Sequence, residues 1–242
     1  MGEMPTIPQP REQFELTNPL NSVENREKAK DNTRLFKDAM DRYIKSQSAV
    51  DGADAGKCFV RMLSSHQDSP DVIKPVKKYI ERLLPPKKAG EFMGGFVGEY
   101  AFAHLLASKT DRKIEYPETV EDTELKADWV VADPGKQEKF IQTKVLPLVD
   151  ERTEDAQLVY DISNPVSLKE MEENLYSYHY KGDIAIGDYI RRAEEMVKLN
   201  QGTGKQLIFC LIPSGEMSVV SGTFVNRDFQ EKMKGELAQV GL

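Results

Sequence analysis

Apolar and polar positions along the chain alternate at two different periods. Residues 22–47 carry Ala29, Leu35, Phe36, Ala39, Met40, Tyr43 and Ile44 at helical spacing, with Ser22 placed to cap the first turn. Val50 to Gly56 is rich in Gly and Asp and reads as a loop, followed by a short helix over 57–66. Ser69-Pro70 breaks the chain. Residues 72–84 then repeat apolar positions at Val72, Ile73, Val76, Tyr79, Ile80, Leu83 and Leu84, and Pro85-Pro86 ends that helix. Before all this, Pro5, Pro8, Pro10 and Pro19 make residues 1–20 an irregular arm.

From residue 90 the pattern changes. A helix over 90–108 is followed by short β-branched runs at Lys113–Tyr116, Asp128–Ala132 and Phe140–Leu146. Residues 150–183 fit no single period. Residues 184–199 predict an amphipathic helix, and Leu207–Ile212 is a continuous apolar run suited to a strand buried on both faces. Met217–Val220 and Thr223–Val225 predict two more strands, and 227–238 a last helix. The order is that of an α/β or α+β chain, with an all-helical portion over 1–88 ahead of a mixed core over 89–242.

Composition narrows the function classes. The chain has 242 residues, and its longest apolar runs fall far short of the ~18 residues of a membrane helix. Met1 to Pro10 has no basic segment leading into an apolar one, which argues against a secretory signal. Two cysteines, Cys58 and Cys210, cannot build a disulfide framework, so a reducing cytoplasm is the expected compartment. A net charge of −7 argues against coating nucleic acid by bulk charge. The charge is uneven, however. Residues 51–90 sum to +3, while 91–150 and 151–200 each sum to −5. Lys74, Lys77, Lys78, Arg82, Lys87 and Lys88 have only Glu81 against them, and read either as a solvated helix face or as a phosphate-contacting one.

Several motifs fail on spacing. Gly52–Cys58 is one residue short of a phosphate loop and has Cys where Ser or Thr is needed; Gly202–Gln206 lacks the first glycine and the hydroxyl. His66, His104 and His179 are too scattered for a metal pattern and read as ordinary core or surface histidines. No Gly-x-Ser-x-Gly element supports a hydrolase triad.

One constellation survives. Phe92, Phe96, Glu99, Ala103 and Leu106 fall on one helical stripe, so Glu99 is a carboxylate in the middle of an apolar face. Such a group needs a cation, a hydrogen-bond partner or a path to solvent. Asp128 enters one apolar strand. In the next, Gln142 and Lys144 share a face, with Ile141, Thr143 and Val145 on the other. The short Pro134-Gly135 turn would bring Asp128 beside Gln142 and Lys144 in a hairpin of unread register. An Asp, a Glu and a strand carbonyl offer hard oxygen ligands to Mg²⁺, with a Lys alongside; this set suits phosphodiester hydrolysis.

Glu99 on a helix, Asp128 on one hairpin strand and Gln142-Thr143-Lys144 on the next resemble the PD-(D/E)xK nuclease superfamily. The Gln-x-Lys form is similar to that of the Mrr-type restriction endonucleases. The resemblance covers about residues 90–213 and implies a restriction-endonuclease-like core, a mixed sheet flanked by helices. It implies Asp128 as the principal Mg²⁺ ligand (Mn²⁺ serving as well), with Glu99 ligating directly or through water. Thr143 would add its backbone carbonyl, and Lys144 would assist the attacking water or the transition state. Gln142 departs from the commoner Glu and is a weaker ligand.

The activity so implied is metal-dependent endonucleolytic cleavage, with DNA as the expected partner. Lys74, Lys77, Lys78, Arg191 and Arg192 are the expected phosphate contacts, although Arg191 and Arg192 also have Glu194 and Glu195 within pairing distance in sequence. Tyr176, Tyr178, His179, Tyr180 and Lys181 form an aromatic cluster that suits either base stacking or a packing edge. Cleavage of both strands would call for two sites and hence a homodimer, with 22–47 one available interface. Two other readings stand beside this one. Gln142 and the acidic surface suit an inactive binding or structural module of the same fold, and an RNA-directed toxin or defence nuclease would use the same residues.

Overall fold

The computed structural model describes residues 11–16, 22–66, 73–108, 113–146, 156–177, 186–218 and 223–242. Three helices come first. Helix α1 (Val23–Ser46) starts where the Ser22 hydroxyl accepts from the Asn25 N–H and buries Ala29, Phe36, Ala39 and Met40. Helix α2 (Ala49–Ser64) starts on the Ser48 hydroxyl, which accepts from the Asp51 N–H. Helix α3 (Ile73–Leu83) buries Val76 and Ile80, and Pro85 separates it from α4 (Pro86–Ala107), which carries Pro86 in its first turn.

Helix α2 corrects the sequence reading, which made Val50–Gly56 a loop. Gly52 and Gly56 cost helix propensity, but packing decides the outcome. A Cβ at Gly56 would fall 1.9 Å from the Phe96 ring, so the glycine lets α2 and α4 approach closely. Gly98 plays the same part between α4 and the sheet, where a Cβ would fall 2.4 Å from a Val145 methyl.

The sheet consists of β1 (Ile114–Glu115), β2 (Trp129–Val131), β3 (Lys139–Leu146), β4 (Val159–Asp161) and β5 (Gln206–Pro213), in the order β1-β2-β3-β5-β4. Strands β1, β2 and β3 are antiparallel neighbours, β5 runs parallel to β3 and β4 antiparallel to β5. The parallel pair is in register over its whole length, from Lys139 opposite Gln206 to Leu146 opposite Pro213. Both central strands are almost entirely buried, as the apolar run Leu207–Ile212 predicts. Residues 12–16 of the expected irregular arm lie along β1, where Phe14 donates to the Ile114 carbonyl and Tyr116 to that of Glu12. Arg11 anchors that segment on Glu115, Glu121 and Glu138.

Helix α5 (Thr119–Thr123) links β1 to β2. The ambiguous stretch 150–183 contains β4 and α6 (Pro165–Ser177); α7 (Ile186–Leu199) follows and leads to β5. A two-stranded ribbon of β6 (Met217–Ser218) and β7 (Thr223–Phe224) precedes α8 (Arg227–Gln239). Helix α8 docks on the outer strand through Glu236, which accepts from the Leu158 and Val159 N–H groups.

The described chain is thus a mixed α/β fold with helices at its start and a mixed five-stranded sheet. Buried apolar residues of α1–α3 belong to the same cluster as those of α4 and the sheet. Among the described residues, no helix is long and apolar enough to cross a membrane.

Candidate functional site

Strand β2 is much shorter than β3, and this leaves an edge of β3 without a strand partner. Trp129 pairs with Ile141, and the Asp128 N–H donates to the Ile141 carbonyl at 2.8 Å. Beyond that point, the Asp128 side chain takes the place of a backbone neighbour. Its Oδ2 accepts from the Thr143 N–H at 2.6 Å and the Thr143 hydroxyl at 3.0 Å. The Lys144 ammonium stands 3.5 Å from the same oxygen and donates to the Thr143 carbonyl at 2.8 Å. The hairpin expected from Pro134-Gly135 therefore brings Asp128, Thr143 and Lys144 together. All three hydrogen bonds converge on Oδ2, and Asp128 Oδ1 makes none among the described residues.

Gln142 goes elsewhere. It is 3% exposed, and its Oε1 is buried without a hydrogen-bond partner among the described residues. An unpaired buried amide oxygen carries a desolvation cost of about 1–3 kcal/mol. Nor does Gln142 line the cavity described next.

That cavity, about 220 Å³, opens between α2, α4 and the β2 end of the sheet. Glu99 and Asp128 both line it, together with Lys57 from α2 and Asp122 from α5. Phe96, Tyr116 and Trp129 form an aromatic wall. Glu99 makes no hydrogen bond or ion pair among the described residues. Burial first, and then the Asp128 carboxylate, push its carboxyl well above the ordinary value of 4.5, against the pull of Lys144. Burial likewise raises the Asp122 carboxyl, with Lys57 opposing. Asp122 and Lys57 form an ion pair at 3.2 Å, and the Lys57 ammonium also donates to the Pro117 carbonyl at 2.8 Å.

Lys57 and Asp122 are absent from the sequence reading. Lys57 belongs to the segment dismissed as a broken phosphate loop, and Asp122 to an acidic run with no distinguishing spacing. The expected stripe on α4 is present, with Phe92, Ala103 and Leu106 buried around Glu99.

The five basic residues expected to contact phosphate lie apart from the cavity wall. Lys74, Lys77 and Lys78 are exposed on α3. Arg191 and Arg192 are exposed on α7, where Arg191 pairs with Asp188 at 3.3 Å and with Glu195 at 4.0 Å. The Tyr189 hydroxyl donates to the Val145 carbonyl at 3.1 Å, which fixes the first turns of α7 beside the end of β3. Tyr178, His179, Tyr180 and Lys181, and the side chain of Tyr176, lie outside the described residues.

A hard divalent cation suits part of this set. Mg²⁺ is commonly held by one or two carboxylates, with water or substrate oxygens completing the shell. Glu99 and the free Oδ1 of Asp128 provide two carboxylates on one cavity, and their mutual repulsion is what a cation relieves. Among the described residues, no three His, Cys, Asp or Glu side chains are grouped to hold an ion by themselves. Comparison with protein-family models, curated proteins and solved structures gave no match.

Proposed function

We propose that this chain is a metal-dependent phosphodiester hydrolase of the PD-(D/E)xK type, an endonuclease acting on DNA. The observation that carries the reading is the shared cavity of Glu99 and Asp128, with Lys144 tethered to the same Asp128. The element order of α4, the antiparallel β1–β3, and then β5 parallel to β3 supports a restriction-endonuclease-like core.

In this reading Glu99 and Asp128 hold Mg²⁺ or Mn²⁺, which when bound polarises the phosphoryl group and acidifies water. Asp128 has a second duty. By accepting from the Thr143 N–H it ties the β3 edge to a carboxylate that lines the cavity, and the Lys144 ammonium stands beside the same oxygen. Lys144 is hydrogen-bonded to the Thr143 carbonyl, so its charge is fixed rather than swinging in solvent. A positioned ammonium of this kind stabilises the charge that develops on phosphoryl oxygens. The Thr143 carbonyl retains a lone pair for a ligand beyond the one that Lys144 uses. Exposed Lys74, Lys77, Lys78, Arg191 and Arg192 supply phosphate contacts away from the reacting group.

The test is cleavage of supercoiled and linear DNA, and of RNA, by purified protein with Mg²⁺, with Mn²⁺ and with EDTA. Metal-dependent cleavage that Asp128→Asn and Lys144→Ala each abolish is the expected result. Degradation of RNA with DNA left intact would move the assignment to an RNA-directed nuclease. Cleavage that survives both substitutions would remove the site. One observation favours a non-catalytic module of the same fold: Gln142 is buried and off the cavity, and its Oε1 has no hydrogen-bond partner among the described residues. That reading predicts no calorimetric binding of Mn²⁺ that depends on Glu99 and Asp128.

A further inference from the structure

Helix α2 forms one wall of the cavity through Ala53, Lys57 and Val60, spaced four and three residues apart and therefore on one helical face. The close approach that Gly56 permits against Phe96 brings this face to the carboxylates. The Lys57 side chain is only 16% exposed and that of Asp122 19%. An ammonium has three N–H donors. The Pro117 carbonyl and Asp122 occupy two of them, and the third has no partner among the described residues. Lys57 is thus a fixed, half-buried cation with a donor to spare, in the same cavity as Glu99 and Asp128.

We propose that Lys57 is a substrate-contacting residue that binds a non-bridging phosphate oxygen of a nucleic-acid strand, and that Asp122 is the positioning residue that holds it. The inference rests on the phosphodiester reading of the cavity. It makes α2, part of the helical portion ahead of the sheet, a component of the active centre. Glu99 and Asp128 offer carboxylate oxygens to a cation, and Lys57 offers positive charge to the anion that the cation would also contact. Asp122 keeps the ammonium from folding back onto Glu99 or Asp128, where it would compete for the cation's place.

The experiment is fluorescence anisotropy with a labelled single-stranded DNA oligonucleotide. It uses the full chain, with Ca²⁺ in place of Mg²⁺, across a salt series. Lys57→Met, which keeps the apolar stem, should weaken binding about tenfold and reduce the slope of log K against log salt by about one. Lys57→Arg should stay within about threefold of wild type, because the charge is kept. Asp122→Asn should weaken binding by less than Lys57→Met while leaving the salt slope unchanged, a split that loss of folding would not produce; thermal melts identify any variant that fails to fold. Wild-type affinity and slope in Lys57→Met would overturn the proposal, as would absence of oligonucleotide binding by wild type. Cleavage by wild type with Mg²⁺ or Mn²⁺ is scored separately. Lys57-dependent binding without cleavage would leave the phosphate site standing and remove the hydrolase reading. Cleavage with no Lys57 effect would do the reverse.

Discussion

Two lysine–aspartate pairs meet at the cavity through their aspartates, and they are built in opposite ways: Lys57 lines the cavity beside Asp122, whereas Lys144 stands behind Asp128 and is not part of the wall. Lys144 and Asp128 meet across a hairpin, 3.5 Å apart, with Asp128 also taking the Thr143 N–H and hydroxyl. Lys57 and Asp122 meet across 65 residues of chain, 3.2 Å apart, one on a sixteen-residue helix and the other on a five-residue helix. The first pair is part of the sheet's own hydrogen bonding, since Asp128 substitutes for a missing strand neighbour. The second holds two packed elements together and spends only one side chain on each. A carboxylate that serves the backbone cannot be removed without disturbing the strand, whereas one that serves only an ammonium can.

Removing Asp128 should therefore have the largest effect. Asp128→Ala is expected to lower metal-dependent cleavage by about 10³-fold or more. It should also cost about 1–3 kcal/mol by leaving the Thr143 N–H unpaired in a buried strand. Denaturant unfolding beside a cleavage assay checks both. Asp122→Ala breaks the comparison if it does the same. The expectation is about 1 kcal/mol of destabilisation, because the pair is partly solvated and Lys57 keeps its bond to Pro117.

Glu99 sharpens the contrast, because it belongs to neither pair. A carboxyl whose pKa rises on folding makes the folded state bind more protons than the unfolded chain above the ordinary value. Its stability contribution is fully present below about pH 4.5 and is lost as pH rises toward the elevated folded value. Glu99→Gln should thus melt higher than wild type at neutral pH without metal, and the gap should close as pH falls toward 4. Adding Mg²⁺ should raise the wild-type midpoint and leave that of Glu99→Gln nearly fixed. A wild-type midpoint insensitive to Mg²⁺ would count against cation binding at this cavity.

A smaller effect tests the wall that carries Lys57. Gly56→Ala places a methyl on the Phe96 ring and should cost about 1–3 kcal/mol, with partial recovery in the double variant with Phe96→Ala. The smallest is on the surface. Lys77→Ala removes an exposed ion pair with Glu81 at 3.8 Å and should change stability by less than about 0.5 kcal/mol while weakening DNA binding modestly.

Much of this site is legible in the sequence because hairpins and helical stripes are local. Apolar spacing put Glu99 inside an apolar helix face, and the Pro134-Gly135 turn put Asp128 beside Gln142 and Lys144, of which the structure keeps Lys144 and replaces Gln142 by Thr143. Period-2 alternation also separated Thr143 from Lys144. The structure joins them nonetheless through the Thr143 backbone and hydroxyl, since Asp128 lies beyond the end of β2 and reaches the strand edge. The glycines of 50–56 misled in a different way. Their flexibility is a property of the isolated segment, and the fold uses their lack of a side chain instead.

The sequence by itself determined the first helix, the strand that follows Asp128, the strand that carries Lys144, and the buried strand Leu207–Ile212, because each depends on spacing within a few residues. Only the tertiary structure decided that Gln142 Oε1 is buried without a partner among the described residues, and that Lys57 and Asp122 share a cavity with Glu99. Those outcomes depend on where β2 stops, on how closely α2 approaches α4, and on charges whose interaction is set by distance through the fold rather than along the chain.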